Sequence, residues 1–101
     1  GGMTTMDACL MGVPTVTMLG ENVPGRTAAA IMTALGYREW IATDEEHYVI
    51  MATRGHADRT ALRRRLLDSV ICDPARYARA VEEQYRTAWR RWCAARVEEA
   101  A

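Results

Sequence analysis

The sequence predicts an α/β fold dominated by helix, with about five helices and two short parallel strands in a single compact domain. Three observations carry this. A short helical stretch passes through a Gly12-Val13-Pro14 break into the β-branched run Thr15-Val16-Thr17-Met18-Leu19, and a second helical pattern follows it. Such helix–strand–helix succession belongs to a parallel sheet. Half of the 101 residues are hydrophobic, enough for a packed core and too many for a disordered chain.

The first helix is expected over residues 4–11. Thr4, with Asp7 three residues on, forms a capping pair that would start it, and Gly12 and Pro14 would end it. Two turns are marginal alone, so Met6, Leu10 and Met11 are expected to hold it by packing. Residues 14–19 read as a buried strand closed by Gly20. Gly20-Glu21-Asn22-Val23-Pro24-Gly25 is loop chemistry, and in a doubly wound fold such a loop leaves the carboxyl end of a strand, where ligands bind. A second helix over 25–35 follows, with Ala28, Ile31, Met32 and Leu35 on one face and Gly36 as its cap. Arg26 in its first turn opposes the helix dipole; either an acidic partner such as Glu21, the favoured reading, holds it there, or it serves ligand or interdomain contacts.

Residues 38–42 read as the second strand. Thr43 would cap a third helix whose first turn holds Asp44, Glu45 and Glu46, and Gly55 would stop it. Asp58 caps a fourth helix through Leu62, Leu66, Leu67 and Val70. Asp73-Pro74 is a cap followed by proline at the first helical position. The long fifth helix that it opens carries Tyr77, Val81, Tyr85, Ala88, Trp89 and Trp92 as an apolar stripe, expected to be core and not a surface for stacking nucleobases.

Net charge is zero, with 13 basic and 13 acidic residues. Residues 1–53 hold two Arg against six acids, and 54–96 hold eleven Arg against five. Every base is Arg, which reads as compositional bias. Arg63-Arg64-Arg65 spreads round a helix, so solvated faces are expected and nucleic-acid binding is not. Cys9, Cys72 and Cys93 have neither metal spacing nor a CxxC pair, and fit free thiols in a reducing, cytoplasmic setting. No run approaches the roughly 18 apolar residues of a membrane span. His47 and His56 lack a Ser, Cys or paired carboxylate at a catalytic spacing. No catalytic residue, metal site or cofactor is therefore expected in this chain.

The opening turn is where a ligand would bind. Gly1-Gly2 leaves backbone open to close approach. The first amides of a helix lack intrahelical acceptors, and the dipole favours a phosphate there. The same residues also read as a cap and nothing more, which would make the chain a small helical protein-interaction module without activity.

The string Gly-Gly-x-Thr-Thr-x-Asp-Ala-x-x-Met-Gly-Val-Pro-x-Val-Thr resembles the C-terminal donor-binding lobe of the O-linked N-acetylglucosamine transferases, glycosyltransferase family 41, including their SPINDLY-like relatives. The resemblance continues through Leu19-Gly20-Glu21, Arg26, Thr33-Ala34-Leu35-Gly36 and Trp40-Ile41-Ala42. It is looser at Arg76-Tyr77 and Tyr85-Arg86-Thr87-Ala88-Trp89.

The resemblance implies part of a Rossmann-like GT-B lobe, with 1–42 as its donor-binding part and 43–101 as its C-terminal helical part. It implies UDP-N-acetylglucosamine as donor and protein Ser/Thr hydroxyls as acceptors. The diphosphate would lie on Thr4, Thr5 and the amides following Gly2 and Met3, with Asp7 supporting the ribose or uridine end. Met3 stands where the family usually has a third hydroxyl, and Gly2 where animal members carry His. The chain is expected to be a fragment. The base, the phosphate-neutralising residues, the tetratricopeptide region that selects protein acceptors and the N-terminal lobe would all lie upstream. In the family a closing helix packs across both lobes, so part of the aromatic stripe would stand exposed without the other lobe.

Overall fold

The computed structural model of the chain describes residues 1–100. Helix α1 spans Gly2–Leu10 and starts earlier than expected, because Gly1 is its N-cap and no side chain caps it. The Thr5 amide already reaches the Gly1 carbonyl at 3.2 Å, and the Thr5 hydroxyl donates to the same oxygen at 2.8 Å. Thr4 therefore lies inside the first turn, and the expected Thr4–Asp7 capping pair does not form. The buried face is also rotated. Thr5 and Cys9 are buried, whereas Leu10 and Met11 are exposed and Met6 is half-buried. The helices that cover α1 lie on the Thr5–Cys9 side.

Gly12 ends α1 as expected, at φ +77°. The Val13 amide donates to the Ala8 carbonyl at 2.8 Å and the Gly12 amide to that of Cys9 at 2.9 Å, the Schellman pattern that calls for a left-handed residue. A Cβ here would also stand 2.5 Å from the Arg59 carbonyl oxygen. Helix α2, Thr27–Ala34, ends on Gly36 in the same way, with the Tyr37 amide on the Met32 carbonyl at 2.9 Å.

The two strands are parallel but short. β1 is Thr17–Met18 and β2 is Ile41–Ala42, with Thr17 opposite Ile41 and Met18 opposite Ala42. The stretch over 14–19 is not the buried strand expected: Met18 and Leu19 are exposed. Residues 38–40 form a 3₁₀ turn, Arg38–Trp40, in place of strand, and that turn delivers Trp40 to the core. The loop between β1 and α2 closes on itself through the Gly20 amide and Gly25 carbonyl at 2.9 Å. It then enters α2 through a 3₁₀ turn, Pro24–Arg26. The Arg26 guanidinium donates to the Gly20 carbonyl at 3.3 Å, and among the described residues it forms no ion pair with Glu21.

Helix α3, Glu45–Arg54, is capped by Asp44 and not by Thr43: Asp44 Oδ1 accepts the His47 amide at 2.7 Å. Gly55 does stop it, though not with a left-handed turn. A Cβ there would meet the Met51 carbonyl at 2.5 Å and the Trp40 ring at 2.7 Å. Helix α4, Arg59–Leu67, is capped by Asp58, as expected, through the Ala61 amide at 3.0 Å. Val70 falls outside it, in a 3₁₀ turn. Helix α5, Pro74–Ala100, starts on Asp73, whose Oδ1 accepts the Arg76 amide at 3.1 Å.

The core is built from Cys9 of α1, Met32 of α2, Leu35 just after it, Trp40, and Leu62 and Leu66 of α4. Arginines expected to be purely solvated bond across elements around its rim instead. Arg59 and Arg63 donate to the Met11 and Leu10 carbonyls at 3.0 and 2.9 Å, and Arg65 to the Leu35 carbonyl at 3.1 Å. No residue of α5 is buried, so its stripe is not core within these residues. At about 40 Å long, α5 accounts for a radius of gyration of 17.0 Å, against about 13 Å for a compact chain of this size.

Candidate functional site

The opening turn of α1 presents the groups that the sequence singled out, in unequal ways. Met3 and Thr4 are exposed, Gly2 is half-buried, and Asp7 is exposed one turn further on. Among the described residues nothing accepts a hydrogen bond from the amides of Gly2, Met3 or Thr4. These are the donors a helix start leaves over. Thr5 differs. It is 4% exposed and its hydroxyl proton is held by the Gly1 carbonyl, so it ties the turn together from inside.

A contact that sequence reasoning did not single out locates this turn in the fold. A Cβ on Gly2 would stand 3.1 Å from Thr27 Cγ2, so the starts of α1 and α2 touch. Thr27 follows Arg26, and that placement at a helix start was the available signal. The grooves lie elsewhere. One is lined by Leu19, Arg26, Ala30, Thr33 and Arg38, and another runs from Met18 past Ala42 to Asp44. Neither includes a residue from Gly2 to Asp7.

The local charge is sparse. All ion pairs among the described residues lie on α5, and no cluster of three His, Cys, Asp or Glu among them could hold a metal ion. His47 Nδ1 accepts the Thr43 amide at 3.1 Å, which assigns the ring proton to Nε2 when the ring is neutral. What the arrangement offers chemically is uncharged donors and a nearby carboxylate.

A family model described as glycosyl transferase family 41 matches residues 1–78. The chain belongs to glycosyl transferase family 41. Its family 41 relatives include a Petunia hybrida protein named "Probable UDP-N-acetylglucosamine--peptide N-acetylglucosaminyltransferase SPINDLY", 33% identical over 100 residues. The Oryza sativa subsp. japonica protein of the same name is 35% identical over 100 residues, and both alignments cover 92% of this chain and 11% of the relative. A Caenorhabditis elegans UDP-N-acetylglucosamine--peptide N-acetylglucosaminyltransferase is 31% identical over 99 residues, covering 91% of this chain and 9% of its own length. The chain thus spans about a tenth of the length of the curated relatives it matches. The family 41 match takes in α1 through α4, both strands and the first turn of α5. No described helix is long and apolar enough to cross a membrane.

Proposed function

We propose that this segment forms the donor-binding part of a Rossmann-like, C-terminal GT-B lobe. Joined to the rest of its polypeptide, it would serve transfer of N-acetylglucosamine from UDP-N-acetylglucosamine to Ser or Thr hydroxyls of proteins. The observation that carries this is the exposed opening turn of α1, with three consecutive amides lacking acceptors. The activity in the relatives' names supports the choice of donor.

In this reading the amides of Gly2, Met3 and Thr4, with the Thr4 hydroxyl, receive the diphosphate. Neutral donors at a helix N-terminus suit it because several hydrogen bonds converge where the dipole is positive. Met3 contributes backbone only. Thr5, buried with its hydroxyl proton on the Gly1 carbonyl, holds the turn in shape from inside. A carboxylate beside phosphate is repulsive, so Asp7 accepts from a ribose hydroxyl instead. Residues 1–42 make the donor surface and 43–101 support it. The general base, the cationic groups for the phosphates, the tetratricopeptide region and the N-terminal lobe come from elsewhere in the polypeptide, as does the protein acceptor's main contact. The three free thiols are in keeping with a reducing cytoplasm.

A second reading, a helical protein-interaction module, is favoured by the exposed aromatic stripe of α5. Titrating UDP into the isotope-labelled enzyme that carries this segment separates the two. Donor binding requires shifts at the amides of residues 2–8, and unmoved resonances there leave the interaction module standing.

A further inference from the structure

We propose that Arg59 and Arg63 are positioning residues for the donor site, an inference that rests on the donor reading above. They grip the end of α1 opposite its opening turn: Arg59 Nη2 donates to the Met11 carbonyl at 3.0 Å and Arg63 Nη1 to the Leu10 carbonyl at 2.9 Å. The two arginines are four residues apart on α4, so they project from one face. Carbonyls at a helix C-terminus have no intrahelical donors and carry the negative end of the dipole, so two guanidinium groups suit that end. Among the described residues neither arginine has a carboxylate partner that competes. The approach is close as well as polar, because the Gly12 backbone leaves no space for a Cβ against the Arg59 carbonyl. An α1 of nine residues is about 13 Å long and rigid on that scale. Any shift permitted at Leu10–Met11 therefore appears at Gly2–Thr4, where the phosphate donors are.

Asp44 supplies an internal control. Its Oδ1 holds the start of α3 through the His47 amide at 2.7 Å, and α3 packs chiefly against β2. The test uses the full enzyme carrying this segment. UDP affinity is measured by calorimetry and the unfolding midpoint by thermal melting, for wild type, R59Q/R63Q, D44A and R59K/R63K. The double glutamine variant should weaken UDP binding about tenfold, an order below the loss that a 1 Å misplacement can bring. D44A should lower the midpoint with UDP affinity nearly unchanged, and the lysine pair, which still donates, should recover most of the affinity. Should the double variant fail to fold, R63Q alone is read the same way, with a smaller loss. Wild-type affinity in the glutamine variant, or equal weakening by D44A, overturns the positioning role while leaving the donor reading intact. A wild-type enzyme whose Gly2–Thr5 amides ignore UDP overturns both.

Discussion

Cys9 lies completely buried with its Sγ 3.8 Å from Met32 Sδ, and burial pushes its thiol pKa up. The folded chain thus holds this proton more tightly than the unfolded chain. Stability from this residue is full below the ordinary thiol pKa of about 8.5 and is lost as pH rises through and beyond it. Chemical unfolding across that alkaline range should show a steeper loss for wild type than for Cys9→Ala, which cannot titrate there; equal slopes would count against the buried thiol. At this scale the sequence was legible where one residue's chemistry decides the outcome. Gly12 and Gly36 were readable because a left-handed helix end favours glycine. Cys9 was not picked out as core, because Met6, Leu10 and Met11 offered the larger apolar groups. Which face is buried depends on where α2 and α4 lie, and no local pattern states that.

At the scale of elements, caps were legible only in part. Asp58 and Asp73 were placed correctly, but Thr4 and Thr43 were each taken for caps that fall elsewhere. Several hydrogen-bonding side chains in a row make the choice depend on backbone angles and not on residue type. The structure resolves the α3 case: Asp44 Oδ1 holds the His47 amide at 2.7 Å, while the Thr43 hydroxyl lies 3.4 Å from the His47 ring. Asp44→Ala should therefore lower stability by about 1 kcal/mol. Thr43→Ala, which keeps the backbone amide on His47, should cost only a few tenths. Denaturant titrations of the two variants check this, and the reverse ranking would restore Thr43 as the cap. The guanidinium bonds from α4 to the ends of α1 and α2 had no signature at all, since the partners stand 30 to 53 positions apart. For the candidate site, the residue types were legible through their resemblance to a family, whereas the inward turn of Thr5 was visible only in three dimensions.

For the whole molecule, the deciding feature is α5, whose stripe the residue pattern read as core and the family resemblance as partly exposed. Its apolar spacing was readable, but spacing shows that a face is suited to burial and not what buries it. Tyr85, Trp89 and Trp92 are 73%, 63% and 51% exposed, and the two tryptophans stack on each other at 5.3 Å. The ion pairs along the helix are exposed and contribute little. Replacing Trp89 and Trp92 by Ser in the 101-residue chain should hence leave its unfolding midpoint nearly unchanged while raising its solubility. A large fall in the midpoint would mean that the stripe packs within this chain after all.

The arginine contacts of α4 also bear on how the chain can be divided. Leu62 and Leu66 complete the core around Cys9 and Met32, and the same helix bonds the tails of α1 and α2. A cut after residue 42 is therefore a boundary on paper only. Anyone grafting the glycine-threonine turn into another scaffold would have to transplant residues 58–67 along with it, or the borrowed turn would arrive without its anchor.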